Sequence, residues 1–439
     1  MSFNRATFLS PEEKSVRLAI GVACVTAALW IGVAGAEAGA AEEPEQSPEA
    51  TEAAKISRFA VHGFATLGLV HSSEDQADFL GGLLLKRGAG HSQSWSAEVD
   101  SRVGAQVHAT FNPRLSAVVQ VVAEQGVAGH YNPQLEWVNL KYQLTPDASV
   151  RVGRIVLPSF LVSDYRKVGY ANAWVRPPVE VYGLIPITTS DGLDAAYRVA
   201  FGRFSNTVQA FLGQSDIKLQ EGYARARDYW GLSATSERDA MTFRLAYQNA
   251  RVTVEPFNTL FNAFRQFGPE GVAIADRYDA DGSSLPFFGA GFLYDPGDWF
   301  VTAEWGTIQS DSAIGDRTAW YAGAGYRFGK LTPYLTYSDS DADSSLSAPG
   351  LTVSAYPPAL AGVATGLNAA LNGLLAANPD QATISGGLRW DFTKDFDLKV
   401  QFDHSQRRDG SRGTLGNFQP GLQNRGSYNL VSIAMDFVF

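Results

Sequence analysis

The stretch that decides the fold is WSAEVDSRVGAQVHATF, residues Trp95 to Phe111. Its odd-numbered positions are mostly apolar, whereas its even-numbered positions include Glu98, Asp100, Arg102 and His108. Successive side chains of a β-strand point to opposite faces, so this pattern predicts a strand with one apolar and one charged face. Strands of soluble proteins usually have about five or six residues. A longer run favours a tilted strand that crosses a bilayer and continues beyond it.

The same period-two alternation recurs along the chain, in residues 299–307, 320–328 and 384–391 and in the final run 431–439. Short and long connections alternate between such runs. Seven tight turns and eight longer loops predict about sixteen antiparallel strands, with the short turns on the periplasmic side and the long loops outside. We place the long loops at roughly 71–94, 124–134, 157–190, 214–227, 250–285, 310–316, 340–381 and 407–426.

A sheet that crosses a membrane has to close on itself, because every backbone N–H and C=O in hydrocarbon needs an internal partner. Aromatic residues at strand ends, such as Trp299, Tyr326, Trp390 and Phe437, fit the girdles at the two membrane interfaces. The predicted fold class is therefore all-β, a transmembrane antiparallel β-barrel of about sixteen strands with a water-filled lumen.

Composition agrees with this prediction and excludes some partners. The 439 residues include 43 glycines and 12% aromatic residues, as expected for many strands joined by turns. After Ala40 no apolar run approaches the roughly 18 residues of a membrane helix. The net charge of −10 argues against nucleic acid as a partner, because phosphate binding needs a basic face.

The N-terminal segment predicts export. Basic residues precede the apolar stretch Leu18 to Ala40, which ends in A-x-A sites, so residues 1–40 are predicted to be a secretory signal peptide. Residues 41–57 are acidic and poor in large apolar side chains, which predicts a disordered linker. The barrel domain then spans 58–439. The sole cysteine, Cys24, lies in the predicted signal, so we expect no disulfide in the mature chain.

Three segments carry a family resemblance: FAVHGFATLGLV (Phe59 to Val70), VRVGRIVLPSFL (Val150 to Leu161) and the last strand with its C-terminal Phe439. They resemble the general bacterial porin family of the Gram-negative outer membrane, and the chain is similar to a divergent member. The resemblance implies passive diffusion of small hydrophilic solutes and ions through a homotrimer. It also implies that the outer-membrane assembly machinery recognises Phe439 as an assembly signal.

The resemblance further implies that the third external loop, Leu157 to Ser190, folds back into the lumen as a constriction. This loop lacks the acidic P-E-F-G-G type signature of the family, which leaves the ion preference open. Arg154, at the end of the fifth strand, resembles the basic wall residue that faces the loop. Acidic and basic groups on opposite sides of a constriction orient dipolar solutes. The candidate constriction residues on the loop are Asp164, Arg166, Lys167, Arg176 and Glu180.

Strand parity supplies candidates for the lumen wall. Each wall candidate either affects the ion selectivity or is a solvated charge without effect on it. For the candidate residues of the loop there is a third alternative, in which they form salt bridges that hold the loop to the wall. The wall candidates are Glu98, Asp100, Arg102, His108, Lys141, Asp194, Arg198, Arg244, Glu304, Arg389, Lys399 and Asp403.

Two other functions remain open beside passive diffusion. Aromatic residues and arginines between Tyr165 and Tyr182 favour a substrate-selective channel with a binding site at the constriction loop. A third hypothesis is a structural or adhesive barrel that its loops plug. Expected partners are outer-membrane lipid and lipopolysaccharide, small solutes and ions.

We predict no enzyme activity, cofactor or metal. Neighbouring residues on a strand face opposite sides, so Asp403, His404 and Ser405 do not form a catalytic triad. The sequence has no G-x-S-x-G motif and no metal-ligand spacing. Apolar residues at helical spacing in 255–268 and 355–377 predict short external helices.

Overall fold

The computed structural model describes residues 58–82, 85 and 87–439, so the predicted signal peptide and acidic linker lie outside the described residues. The described part forms one large antiparallel sheet in which each long strand pairs with its neighbours along the chain. Its sixteen long strands are β1 (Phe59–Ser72), β2 (Arg102–Asn112), β3 (Leu115–Glu124), β4 (Gln134–Gln143), β5 (Ala148–Val156), β6 (Thr189–Phe201), β7 (Phe204–Lys218), β8 (Tyr223–Arg238), β9 (Met241–Val254), β10 (Phe287–Tyr294), β11 (Trp299–Ile308), β12 (Arg317–Tyr326), β13 (Leu331–Ala342), β14 (Gln381–Thr393), β15 (Phe396–Arg407) and β16 (Gly426–Val438).

The sheet closes between its first and last strands. Phe64 of β1 lies opposite Gly104 of β2 on one side and opposite Val438 of β16 on the other. Gly63 and Phe439 exchange backbone hydrogen bonds of 2.9 and 3.0 Å at the end of this seam. The prediction of a closed, sixteen-stranded antiparallel barrel is confirmed.

The fourth long loop is much shorter than predicted. We expected it at 214–227, but β7 continues to Lys218 and β8 begins at Tyr223, which leaves only residues 219–222 between them. The outward positions at these strand ends are polar, Arg225 among them, because the strands continue past the apolar belt. The hydrophobic alternation therefore ends before the hydrogen-bonded strands do.

The run 95–111 is not one continuous strand. Its barrel strand starts at Arg102. Trp95 and Ser96 form a short separate strand against β1, and a turn follows in which Ser96 Oγ accepts the backbone N–H of Glu98 at 3.2 Å. Glu98 and Asp100 therefore belong to the first loop, and their expected position on a wall strand was wrong. The alternation of polar and apolar residues continues through this turn, so the sequence pattern alone does not reveal it.

Aromatic rings on the inner face lie over glycines of the neighbouring strand. A Cβ added at Gly387 would lie 2.3 Å from Cζ of Tyr334, and one at Gly104 would lie 2.3 Å from Cζ of Phe64. These pairs explain why glycine and aromatic residues are both frequent: the bare backbone makes room for the ring. The directly opposed pairs are Phe64 with Gly104, Phe211 with Gly231, Phe300 with Gly325 and Tyr334 with Gly387.

The third loop, residues 157–188, lies inside the barrel and contains the short helix α1 (Val179–Tyr182). Its Phe160 and Tyr182 pack in one buried apolar cluster with Phe287 of β10 and Tyr321 of β12. Apolar packing thus fixes one side of the loop against β10–β13.

Three helices lie at the long-loop end of the barrel. They are α2 (Glu255–Arg265) and α3 (Gly268–Tyr278) in the fifth loop, and α4 (Pro358–Leu375) in the seventh. Phe261, Phe264 and Leu371 are buried where these helices meet. The hydroxyl of Tyr356 donates to Glu270 at 3.0 Å and ties the two loops together.

A glycine substitution tests the ring-over-glycine contact. Gly387→Val places its side chain in the Tyr334 ring, and overpacking of this kind typically costs about 1–3 kcal/mol. We expect a lower urea midpoint for loss of heat-modifiable gel migration. Gly386→Val is the matched control, because the nearest atom to its Cβ is Leu335 Cδ1 at 3.8 Å. Equal losses in both variants would contradict the contact.

Candidate channel constriction

Arg176 anchors the third loop to the first loop and to the wall. Its Nη2 donates to Asp100 at 2.5 Å and to Ser432 at 2.7 Å, and its Nη1 lies 3.4 Å from Asp403. The side chain is buried. Burial lowers the pKa of Arg176, but Asp100 and Asp403 outweigh this effect and leave the pKa raised. Arg176 therefore holds the loop in place, which is the salt-bridge alternative for the loop residues, and its buried side chain does not line the constriction.

Glu180 of α1 is a second buried anchor. Its carboxylate accepts hydrogen bonds from Ser338 at 2.8 Å, Gln381 at 2.7 Å and Thr383 at 2.5 Å, on β13 and β14. These neutral donors satisfy the buried charge. The placement of Glu180 at the constriction is corrected in the same way: the loop carboxylate faces the wall behind the loop.

Two wall cations bind backbone carbonyls of the loop. Arg389 Nη1 donates to the oxygen of Tyr170 at 2.7 Å and to that of Asn172 at 2.9 Å. Lys399 Nζ donates to the oxygen of Gly169 at 2.7 Å. Both side chains point into the barrel, but they are used to hold the loop.

Glu304 of β11 lies on the opposite side of the same loop. Its buried carboxylate accepts the backbone N–H of Leu161 at 2.7 Å and the hydroxyl of Tyr321 at 2.9 Å, and also the hydroxyl of Tyr182. This wall carboxylate therefore fixes both ends of the loop. It is not exposed to the lumen.

Asp164 is the loop carboxylate that remains open to water. Its side chain is 32% exposed, and it lies 3.9 Å from Nη2 of Arg244 on β9. Arg244 also donates from Nη1 to the backbone oxygen of Phe160 at 2.5 Å. One arginine thus holds the start of the loop and faces its free carboxylate.

Three cations point inward from adjacent wall strands: Lys141 on β4, Arg151 on β5 and Arg198 on β6. Lys141 and Arg151 are directly opposed in the sheet. Arg151 forms an ion pair with the buried Asp194, which also accepts a hydrogen bond from Gln209 at 2.6 Å. Among the residues that the structure describes, no carboxylate pairs with Lys141 or Arg198. This part of the wall carries an excess of positive charge.

Lys167 reaches from the loop to β3 and β4. Its Nζ donates to Glu124 of β3 at 2.6 Å and to Glu136 of β4 at 2.7 Å, and Arg102 lies 3.7 Å from Glu124. Burial lowers the pKa of Lys167, but the two carboxylates outweigh this and raise it overall. The lysine is charged and serves both glutamates.

Arg166, the residue before this lysine, stacks on an aromatic ring. Its guanidinium carbon lies 5.4 Å from the ring centroid of Tyr182. Within the described part of the chain it has no ion-pair partner. It adds a positive charge on the loop itself, within electrostatic reach of Glu124 and Glu136.

Arg154 is on the wrong side of the barrel for a pore residue. It forms an ion pair with Asp191 at 2.6 Å, with the two side chains 39% and 50% exposed. Both residues share the outward parity of Val152, whereas Arg151 points inward. The strand reads VRVGRIV, so the sequence does not show which of its two faces points inward. The family resemblance pointed to Arg154, whereas Arg151 is the arginine that faces the lumen.

Several interior residues were missed from the sequence. Glu136 points inward because the pairing slips between Gln120 and Val121, which forms a bulge in β4. No local signal announces such a bulge. Arg151 could have been found from its cross-strand partner Asp194, once the register of β5 and β6 is known. Glu98 pairs with Arg87 of the first loop at 3.0 Å, away from the constriction loop.

A closed sixteen-stranded barrel with a loop tied into its charged interior defines an outer-membrane channel. The model of the Gram-negative porin family matches residues 24–430. The chain therefore belongs to the Gram-negative porin family, and it forms a channel for passive diffusion in the outer membrane.

Solved porin structures share the fold at low sequence identity. The anion-selective porin from Comamonas acidovorans has a TM-score of 0.53 and 12% identity, over 87% of this chain and 99% of that one. Salmonella typhi OmpF has a TM-score of 0.52 and 14% identity, over 87% and 97%. The channel DcaP of Acinetobacter baumannii has a TM-score of 0.52 and 12% identity, also over 87% and 97%. No curated protein matches the chain significantly in sequence.

Removing the buried anchor tests how the loop is held. Arg176→Met leaves Asp100 and Asp403 buried and unpaired, and loss of one partner from a buried pair typically costs about 3–5 kcal/mol. We expect a lower urea midpoint and a noisier single-channel current. The control is Arg225→Met, since Arg225 pairs with Glu255 at the surface and an exposed pair contributes about 0–1 kcal/mol. A stable, quiet Arg176→Met channel would show that the loop does not depend on this anchor.

Proposed function

We propose that this porin conducts small anions in preference to cations, through the gap between Asp164 and the basic wall. The supporting observation is the set of inward cations without a carboxylate partner among the described residues, Lys141, Arg166 and Arg198. Unpaired charge along a pore raises the local concentration of the opposite ion. The net charge of the whole chain is −10, but it is spread over loops and tail and does not describe this gap.

The balance of the other interior charges supports the same proposal. Asp194 is used by Arg151, and Glu180 and Glu304 are buried among hydrogen-bond donors. Asp164 is the exposed carboxylate of the loop and lies near Arg244. Apart from Glu124 and Glu136, which Lys167 binds, the charges left facing water are mainly positive.

A second candidate is a substrate-selective channel. Arg166 stacked on Tyr182 offers a planar cation beside an aromatic ring, a combination suited to anionic ring-bearing solutes. Block of conductance by one solute class would favour this candidate, and an unsaturable ohmic conductance favours simple diffusion. The absence of any conductance would favour a plugged barrel.

We also propose that three copies assemble through the outer faces of β1–β4. Many of the outward side chains there are aliphatic, including the exposed Leu67, Val103, Val119 and Leu135. By contrast, β11–β14 expose Trp299, Trp305, Trp320 and Trp390, as suits a face that contacts lipid and lipopolysaccharide. We retain Phe439 as the proposed assembly signal, on the exposed end of the closing seam.

We propose no catalytic role for the barrel. Asp403 and Ser405 point inward, whereas His404 points outward and lies 2.7 Å from Asn429. The three residues thus do not meet as a nucleophile, base and orienting acid.

Reversal potentials across planar bilayers test the anion preference. In a KCl gradient the wild-type channel should favour chloride, and Lys141→Gln/Arg198→Gln should lower this preference because it removes two unpaired positive charges. Arg154→Gln is the control: it also removes an arginine charge, but on the outer face, so the reversal potential should stay unchanged. A potassium-selective wild-type channel, or a large effect of Arg154→Gln, would refute the proposal.

A further inference from the structure

Lys167 joins the constriction loop to two carboxylates on the wall. Its Nζ lies 2.6 Å from Glu124 and 2.7 Å from Glu136, on two neighbouring strands. The side chains of Lys167, Glu124 and Glu136 are 18%, 30% and 12% exposed. They are therefore close enough to water for their charge to act on passing ions.

The polarity of this contact is the reverse of that at Arg389 and Lys399, and the same as that between Arg176 and Asp403. Arg389 and Lys399 are wall cations that bind backbone oxygens of the loop. Here the loop supplies the cation and the wall supplies the carboxylates. Cutting this contact would therefore leave negative charge on the wall and not on the loop.

Three cations lie near these two carboxylates. Lys167 bonds both, Arg102 lies 3.7 Å from Glu124, and Arg166 is within electrostatic reach of both. Loss of Lys167 removes one positive charge from this cluster. Loss of both carboxylates removes two negative charges.

We infer that Lys167 is a specificity-determining residue, which keeps the wall of β3 and β4 from attracting cations by neutralising Glu124 and Glu136. This inference rests on the proposed function, because it explains how an anion-preferring pore tolerates two glutamates beside its path. The competing explanation is that Lys167 only tethers the loop. If Lys167 is only a tether, the effect of breaking the contact does not depend on which charge is removed. If Lys167 neutralises the wall, removing the lysine and removing the glutamates shift the ion preference in opposite directions.

The decisive experiment compares variants of opposite charge in a KCl gradient. Lys167→Met should raise the potassium-to-chloride permeability ratio, and Glu124→Gln/Glu136→Gln should lower it. We expect roughly a two- to fourfold change per unit charge at low salt, as for an ion that passes about 5–10 Å from a charge in water. Lys167→Arg should restore the wild-type ratio. Lys218→Met is the matched control, because it removes an exposed lysine charge from the end of β7.

A mere tether predicts a different pattern. Both cuts would then change conductance and current noise alike, without opposite shifts in reversal potential, and that result overturns the inference. If Lys167→Met yields no heat-modifiable barrel, a second comparison tests the inference. It compares the double variant Glu124→Gln/Glu136→Gln with the triple variant that also carries Lys167→Met. The triple variant should then be less anion-preferring than the double, and equal ratios refute the inference. A wild-type barrel without conductance, or with potassium preference, would instead refute the proposed function itself.

Discussion

A backbone N–H group in hydrocarbon has no water to bond with, and every other feature of this barrel depends on that constraint. It requires the strands to close, so the first strand has to meet the last, and the hydrogen bonds between Gly63 and Phe439 complete this seam. Closure separates an apolar outer face from a lumen that accepts charge. The charged loop is stable inside the barrel because closure has provided a polar interior for it.

Inside this interior, charge is used in two different ways. One set of charged groups holds the third loop: Arg176 and Glu180 from the loop, and Arg389 and Lys399 from the wall, bond to partners between loop and wall. Such groups are fully satisfied, so they contribute rigidity and little field. The remaining groups, such as Asp164 and Lys141, are partly exposed. The proposed anion preference rests on this second set and not on the net charge of the whole chain.

The close fit of rings and glycines links the wall to the loop. Tyr334 lies over Gly387 and donates its hydroxyl to Gln401, whose side-chain oxygen also accepts the backbone N–H of Val175 in the loop. The glycine on one strand thus makes room for Tyr334, which helps to position Gln401 against the constriction loop. The wall and the loop form one packed structure, and the loop is not a separate flap.

The sequence by itself determined the class of fold, the number of strands and the inward position of residues such as Arg244 and Glu304, because side-chain alternation is local and the membrane sorts its two faces. It did not determine the partners. Arg151 and Arg154 are three residues apart, so alternation puts them on opposite faces, but only the register of β5 and β6 shows that Arg151 is the inward one. Glu136 faces inward through a bulge, and Arg176 reaches Asp100 and Asp403 through the path of the loop. Only the tertiary structure decided these contacts, because they join residues distant in sequence whose meeting depends on strand register and loop path.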